Sequence, residues 1–62
     1  MVYVYQSQYG FEVEIMTSHL RNEKLRDALE AVTGERYPRI NYKSRPEAEA
    51  VCGKVNEAYR SI

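Results

Sequence analysis

The strict alternation of apolar and charged residues from Phe11 to Ile15 is the feature that most constrains the fold. The segment reads Phe-Glu-Val-Glu-Ile, so its side chains repeat with the period of two that marks a half-buried strand. A second segment, Val2–Gln6, alternates valine with tyrosine, and both residues favour strands. The intervening residues 7–10 end in Gly10, which can supply a positive φ angle. We therefore predict a β-hairpin.

The length of the hairpin loop decides which side chains of the first strand face the core. A four-residue loop pairs Val4 with Val13 and leaves Tyr3 and Tyr5 on the open face of the sheet. A three-residue loop with a bulge at Gly10 shifts the pairing by one residue and turns both tyrosines towards the core. Both registers remain open, because a core with one phenylalanine and no tryptophan can use tyrosine bulk.

A first amphipathic helix is predicted to follow the hairpin. Thr17 or Ser18 can cap its N-terminus, and Gly34 provides the left-handed residue that ends a helix near Thr33. The apolar residues at helical spacing, which form its predicted buried stripe, are Leu20, Leu25, Ala28, Leu29 and Val32.

A second helix has the clearest start signal in the chain. Ser44 and Glu47 form a capping-box pattern, and Pro46 falls in the first turn, where its missing N–H costs nothing. Gly53, in the helix interior, suggests close approach to another element. The predicted buried face comprises Ala48, Val51, Cys52, Val55, Tyr59 and Ile62.

Between the helices, the alternation over Arg39–Lys43 predicts a third strand, which Pro38 favours by biasing Tyr37 towards extended backbone. Its apolar residues Ile40 and Tyr42 should point inward, and its polar residues should lie on the open face. The predicted fold is α+β, a two-layer β-β-α-β-α arrangement. It has a three-stranded antiparallel sheet in the order 2-1-3, with both helices on one face.

Bulk composition limits the classes of function. The chain has 62 residues, a formal net charge of zero and a single cysteine. A domain of this length buries only about 60 % of the surface that its unfolded chain exposes, which leaves no room for a deep cleft between domains. One cysteine excludes an intramolecular disulfide framework. We expect one small domain over residues 1–62, with a homodimer as one way to reach adequate stability.

The sequence shows neither a membrane-spanning run nor a targeting segment. No stretch approaches the ~18 consecutive apolar residues that span a bilayer. The N-terminal residues lack the basic start and long apolar run of a secretory signal. We expect a complete small open reading frame, a cytoplasmic protein and no membrane partner.

Residues 36–45 concentrate positive charge. They carry four basic side chains, two tyrosines and no acid. This composition is typical of a binding surface, and tyrosine offers a large rigid contact area with a polar tip. The alternative is that the glutamate, tyrosine and lysine rows only support the sheet as cross-strand pairs. The residues that we expect to contact a partner are Arg36, Tyr37, Arg39 and Lys43, followed by Tyr3, Tyr5 and Tyr9.

Nucleic-acid binding is the main alternative use of the same segment. Arginine and lysine neutralise phosphates, and aromatic side chains on a sheet can stack on unpaired bases. Against it, the isoelectric point is near 6.6, whereas nucleic-acid-binding domains are usually clearly basic.

The sequence contains no motif for catalysis, metal binding or cofactor binding. His19 and Cys52 could form a base–nucleophile pair only if the fold brought them together, and a lone cysteine on an apolar stripe is usually a core residue. There is no second histidine for a zinc site and no glycine-rich phosphate loop. We expect no enzyme activity, no metal and no cofactor.

Two resemblances bear on function. The stretch Tyr42–Ala50 resembles the strand-to-helix step of peptidoglycan-binding SPOR domains, but the predicted strand order differs from that family's double repeat, so the chain is not assigned to it. In its size, neutrality and lack of motifs, the chain is similar to the small accessory proteins of phages and mobile elements. Many of those bind one host or defence protein and block it, which implies a protein-binding inhibitor or adaptor.

Overall fold

A computed structural model describes residues 1–62 as a hairpin followed by two helices. The strands are β1 (Val2–Ser7) and β2 (Gly10–Ile15), a 3-10 turn covers Thr17–His19, and the helices are α1 (Glu23–Thr33) and α2 (Arg45–Arg60). The chain is therefore a small α+β protein, as predicted. The predicted three-stranded sheet is wrong, because the sheet contains only β1 and β2.

The hairpin adopts the first of the two registers considered above. Val4 pairs with Val13, and the ladder continues to Ser7 and Gly10, so the connecting turn is the dipeptide Gln8-Tyr9. Side chains alternate between the two faces of a strand. The valines of β1 consequently face the helices, and Tyr3 and Tyr5 point away from them, with exposed fractions of 42% and 45%.

The segment predicted as the third strand makes only one bridge to the sheet. Tyr42 pairs with Phe11 through two backbone hydrogen bonds of 2.9 and 2.8 Å, and this bridge lies beside β2 rather than beside β1 as the predicted order required. Tyr42 is half-buried against the core as expected, whereas Ile40 is 44% exposed and does not point inward.

Three features explain why the strand does not form. Pro38 has no N–H and cannot donate to a ladder. Arg36 is held against α1 by acidic side chains, so the chain that follows it stands away from β2. The outer edge of β1 is already occupied at Val2, whose backbone N–H donates to Asn56 Oδ1 at 3.2 Å and whose carbonyl accepts from Asn56 Nδ2 at 3.4 Å. The Asn56 amide thus occupies this edge of β1 at Val2.

Helix α1 begins later than predicted. Asn22, not Thr17 or Ser18, is its N-cap, and its side chain accepts a hydrogen bond from the Leu25 N–H at 3.2 Å. Leu20 therefore lies before the helix and is 45% exposed. The end of the helix is confirmed: it stops at Thr33, and Gly34 has the left-handed φ of 83°.

Helix α2 begins as predicted and packs on the hairpin. The Ser44 side chain accepts from the Glu47 N–H, and Pro46 lies in the first turn. Gly53 does not mark a close approach, because a Cβ there would meet no atom within 4 Å. Ile62 lies beyond the helix and is 62% exposed.

A single small core joins the three elements. Eight residues are buried, and α2 contributes three of them while contacting both strands and α1. The fully buried side chains of greatest volume are Leu25, Leu29 and Val55. This core covers the inner face of the hairpin, and the outer face is exposed to solvent. The buried residues are Val2, Val13, Leu25, Ala28, Leu29, Ala48, Cys52 and Val55.

Candidate interaction surface

The open face of the hairpin, formed by Tyr3, Tyr5, Glu12 and Glu14, is covered by no other element. Tyr3 lies directly opposite Glu14, and Tyr5 lies opposite Glu12. The Tyr3 hydroxyl donates a hydrogen bond of 3.3 Å to the Glu14 carboxylate. Loss of hydration, together with this carboxylate, raises the pKa of Tyr3 above its ordinary value. The face therefore combines aromatic surface with two carboxylates.

Tyr9 extends this surface at the tip of the hairpin. It is 76% exposed, the largest exposed fraction among the large apolar side chains. Its backbone N–H donates to Ser7 Oγ at 3.1 Å, which fixes the turn below the ring. Gly10 completes the turn with a φ of 139°, and a Cβ there would lie 2.8 Å from the Tyr42 carbonyl oxygen. The hairpin turn is therefore tightly constrained, and the Tyr9 side chain at its tip is exposed.

Arg36 is engaged in contacts within the chain rather than free for a partner. Its guanidinium lies 2.6 Å from Glu23 Oε2, 2.6 Å from Asp27 Oδ1 and 3.8 Å from Glu30 Oε1. The hydrogen bond to Asp27 is the main cause that raises the pKa of Arg36 further. The acids recur every three or four residues along one face of α1, a spacing that could have indicated this role from the sequence.

Tyr37 is exposed but not free. The Arg26 guanidinium lies 4.8 Å from the centroid of its ring, within the range of a cation–π contact. Arg26 also donates to the Leu20 carbonyl and lies 3.9 Å from Glu23. Arg26 therefore links the segment before α1 to the segment after it, and 59% of Tyr37 remains accessible.

The other basic side chains of residues 36–45 divide into two kinds. Arg45 lies 3.6 Å from Glu49 and 5.3 Å from the centroid of the Phe11 ring, so it supports the start of α2. Arg39 and Lys43 are exposed and form no ion pair. They do not form the basic row predicted for the open face, because the third strand that would carry them there is absent.

A groove of about 340 Å³, here called the edge groove, separates β2 from residues 36–39. Residues 12–15 of β2 form one wall, and Leu20 and Leu29 also line it. Its size is at the lower end of the range for ligand pockets. Sequence reasoning missed this groove, because the predicted strand order placed residues 39–43 beside β1, not along the outer edge of β2.

His19 and Cys52 are not brought together by any hydrogen bond. His19 Nδ1 lies 3.0 Å from Ser18 Oγ, and the buried Cys52 thiol donates to the Val2 carbonyl at 3.3 Å. Burial, reinforced by the charge of Glu49, raises the pKa of the Cys52 thiol. This environment is that of a structural cysteine. The chain contains no group of three or more side chains that could hold a metal ion.

Comparisons with known proteins give no relative. No family model, no curated protein and no solved structure matches the chain. Neither helix is long and apolar enough to cross a membrane. Any functional conclusion therefore rests on the geometry of the hairpin and the edge groove.

Proposed function

We propose that this chain is a non-enzymatic protein-binding module that contacts its partner through the open face of the hairpin. The observation that carries the proposal is the exposure of Tyr3 and Tyr5 side by side on the uncovered face of the hairpin, with Tyr9 exposed at its tip. Tyrosine is enriched in protein interfaces, where a few aromatic side chains provide most of the binding energy. Such a module would act as an inhibitor or adaptor by covering a functional surface of its partner.

The rigidity of this surface supports the proposal. The two strands form a regular ladder from Val2 to Ser7, and the inner face of the hairpin is anchored in the core. Side chains on a fixed ladder lose little conformational freedom on binding, which favours affinity. The tyrosines also have few rotatable bonds compared with lysine or arginine.

Of the basic residues predicted to contact a partner, Arg39 and Lys43 are free to do so, whereas Arg36 is already bound within the chain. Arg36 would have to give up three acidic neighbours to contact a partner. The same observation weakens the nucleic-acid alternative, which depends on several free cations. Glu12 and Glu14 would also repel phosphates at the open face. An anisotropy titration with labelled single- and double-stranded nucleic acid should therefore show no steeply salt-dependent binding.

Surface-dependent capture tests the proposal. The protein is immobilised in three forms: wild type, the Tyr3→Ser/Tyr5→Ser variant, and a control variant with Lys54→Ser on the exposed side of α2. Nuclease-treated extract of the cells that carry the gene is passed over each form. We expect one or a few proteins to bind to the wild type and to the control but not to the tyrosine variant.

Circular dichroism must show the same helical content in all three forms. Binding of the same proteins to all three, or no specific binding to the wild type, would contradict the proposal. Self-association is the remaining use of the open face, and sedimentation of the wild type alone would detect it as a species of twice the monomer mass.

A further inference from the structure

The outer edge of β2 has unpaired backbone groups. The N–H and C=O of Phe11 point away from β1, towards Tyr42. The Met16 N–H, just after the end of β2, points the other way, towards Met1. Backbone groups alternate in direction along a strand, so those of Val13 and Ile15 also point away from β1. Neither residue forms a backbone hydrogen bond outside the hairpin. Both line the edge groove.

Because the outward backbone groups of Val13 and Ile15 have no partner, an extended peptide could bind to them in the groove. A peptide that pairs with Val13 and Ile15 would extend the sheet by one short strand, ending where Tyr42 already bonds to Phe11. Strand addition of this kind takes affinity from backbone hydrogen bonds and specificity from alternate side chains. Every second side chain of the peptide would point towards Leu20 and Leu29, which favour an apolar residue there.

The charges on β2 define the other side chains of such a peptide. Glu12 and Glu14 are on the same face of β2, and neither forms an ion pair within the chain. On the opposite wall of the groove, Arg36 is paired with the acids of α1, which leaves Arg39 as the one unpaired cation against two unpaired carboxylates. Opposite charges on neighbouring strands stabilise a sheet, and like charges destabilise it. A strand with arginine or lysine at alternate positions would place cations beside both carboxylates.

We infer that the edge groove binds an extended segment of a partner protein in which basic residues alternate with apolar ones, as a strand added to β2. The inference rests on the proposed protein-binding function and names the kind of segment that the partner presents. A second copy of the chain is a poor occupant, because pairing of two β2 edges brings Glu12 and Glu14 of both copies onto one face.

The probe for the test is a synthetic pentapeptide that alternates arginine with valine and has both termini blocked. It is titrated into isotope-labelled protein, and binding is followed by the NMR shifts of the backbone amides. We expect the largest shifts at Val13, Glu14 and Ile15. Hydrogen exchange of the Val13 and Ile15 amides should slow, because each gains an acceptor in the added strand.

Two comparison peptides separate strand addition from general electrostatic attraction. A peptide in which glutamate replaces arginine should not bind. The arginine peptide with methylated backbone nitrogens keeps its charge but cannot donate to the carbonyls of β2, and it should bind much more weakly. Equal binding of the methylated and unmethylated arginine peptides would overturn strand addition.

A matched pair of variants tests the role of the carboxylates. Glu12→Gln/Glu14→Gln should weaken binding of the arginine peptide about tenfold, since two cross-strand charge pairs are lost. Glu35→Gln/Glu57→Gln changes the net charge by the same amount at exposed positions without ion pairs, and it should change the affinity by less than about twofold.

Equal weakening by both variant pairs, or shifts confined to residues outside β2, would overturn the inference. Absence of binding by the arginine peptide would also overturn it. If tyrosine-dependent capture from extract persisted in that case, the proposed function would stand and only the assignment of the edge groove would fall. Dimer formation by the free protein through β2 would assign the groove to a second copy and equally refute the inference.

Discussion

Gly53 and Gly10 differ in what surrounds them, and their substitution should have opposite effects. Gly53 lies on the exposed side of α2 with free space where a Cβ would be. We predict that Gly53→Ala raises the free energy of unfolding by about 1 kcal/mol, because alanine favours the helix. Gly10→Ala should lower it by at least about 1 kcal/mol, because of the positive φ and the nearby Tyr42 carbonyl.

Urea unfolding followed by circular dichroism measures both changes. The slope of the unfolding transition should be the same in wild type and variants, so that the midpoint reports stability alone. A stabilised Gly10→Ala variant would mean that the backbone of the turn differs from the one described. A destabilised Gly53→Ala variant would mean that this position contacts another element.

Cys52 gives the protein a predicted sensitivity to alkaline pH. Its folded-state pKa is raised, as are those of Tyr3 and Tyr42. Above the ordinary thiol pKa of about 8.5, the unfolded chain releases a proton that the folded chain keeps, so unfolding is favoured as pH rises. We predict that the melting temperature falls as pH rises above this value.

A pH series of thermal melts with wild type and Cys52→Ala tests this prediction. The variant should show a shallower decline in the range just above the ordinary thiol pKa, although its lost packing lowers stability at every pH. The folded wild type should also react slowly with a thiol reagent, because the thiol is buried and bonded to Val2. Parallel pH profiles and fast labelling would contradict the account.

Among the secondary-structure elements, the sequence correctly predicts those that depend on contacts between residues close in the chain. The hairpin follows from a period of two and a glycine turn, and α2 follows from the Ser44 cap and Pro46. Residues 39–43 have the same alternation as a strand, but a strand exists only if its partner edge is available. Asn56 occupies the edge of β1 at Val2, and Arg36 holds the preceding loop on α1, and no pattern within residues 39–43 shows either contact.

Asn56 is the residue with which to test how the hairpin is attached to α2. Removing its amide leaves the Val2 N–H without a partner, leaves the Val2 C=O with the Cys52 thiol alone, and takes a contact from the Cys52 sulfur. We predict that Asn56→Ala lowers the free energy of unfolding by about 1–3 kcal/mol, the usual cost of unsatisfied buried polar groups. Asn41→Ala, at an exposed position without such bonds, should change it by less than about 0.5 kcal/mol. Chemical denaturation of the two variants under one set of conditions decides between them, and equal effects would contradict this role.

Across the whole molecule, Arg36 connects the loop between the helices to α1. Its ion pairs with Glu23 and Asp27 hold one wall of the edge groove. Salt screens such surface pairs.

We predict that the melting temperature of the wild type falls as ionic strength rises from low to moderate values, and that Arg36→Ala removes most of this dependence. Arg60→Ala, which removes an exposed arginine without an ion pair, should keep it. Identical salt dependence in all three proteins would show that the pairs do not hold the loop in solution.

The proposed interaction surface was predictable only in part. The sequence identified the exposed tyrosines, whose face follows from one of the two registers. The acidic face of α1 indicates a basic partner, but it does not identify Arg36, because that contact joins residues on different elements. The edge groove lies between β2 and residues 36–39, whereas the predicted order placed the third strand beside β1, so no pattern in the sequence indicates the groove directly.

The most direct measurement is site-specific photo-crosslinking from the two sides of the molecule. Benzoylphenylalanine replaces Tyr5 on the open face in one form and Lys54 on the exposed side of α2 in the other. The cells that carry the gene are irradiated, and crosslinked proteins are identified by mass. The account predicts that a protein partner is crosslinked from position 5 and not from position 54. Crosslinks from position 54 alone, or none from either position, would contradict the claim that the hairpin binds a protein.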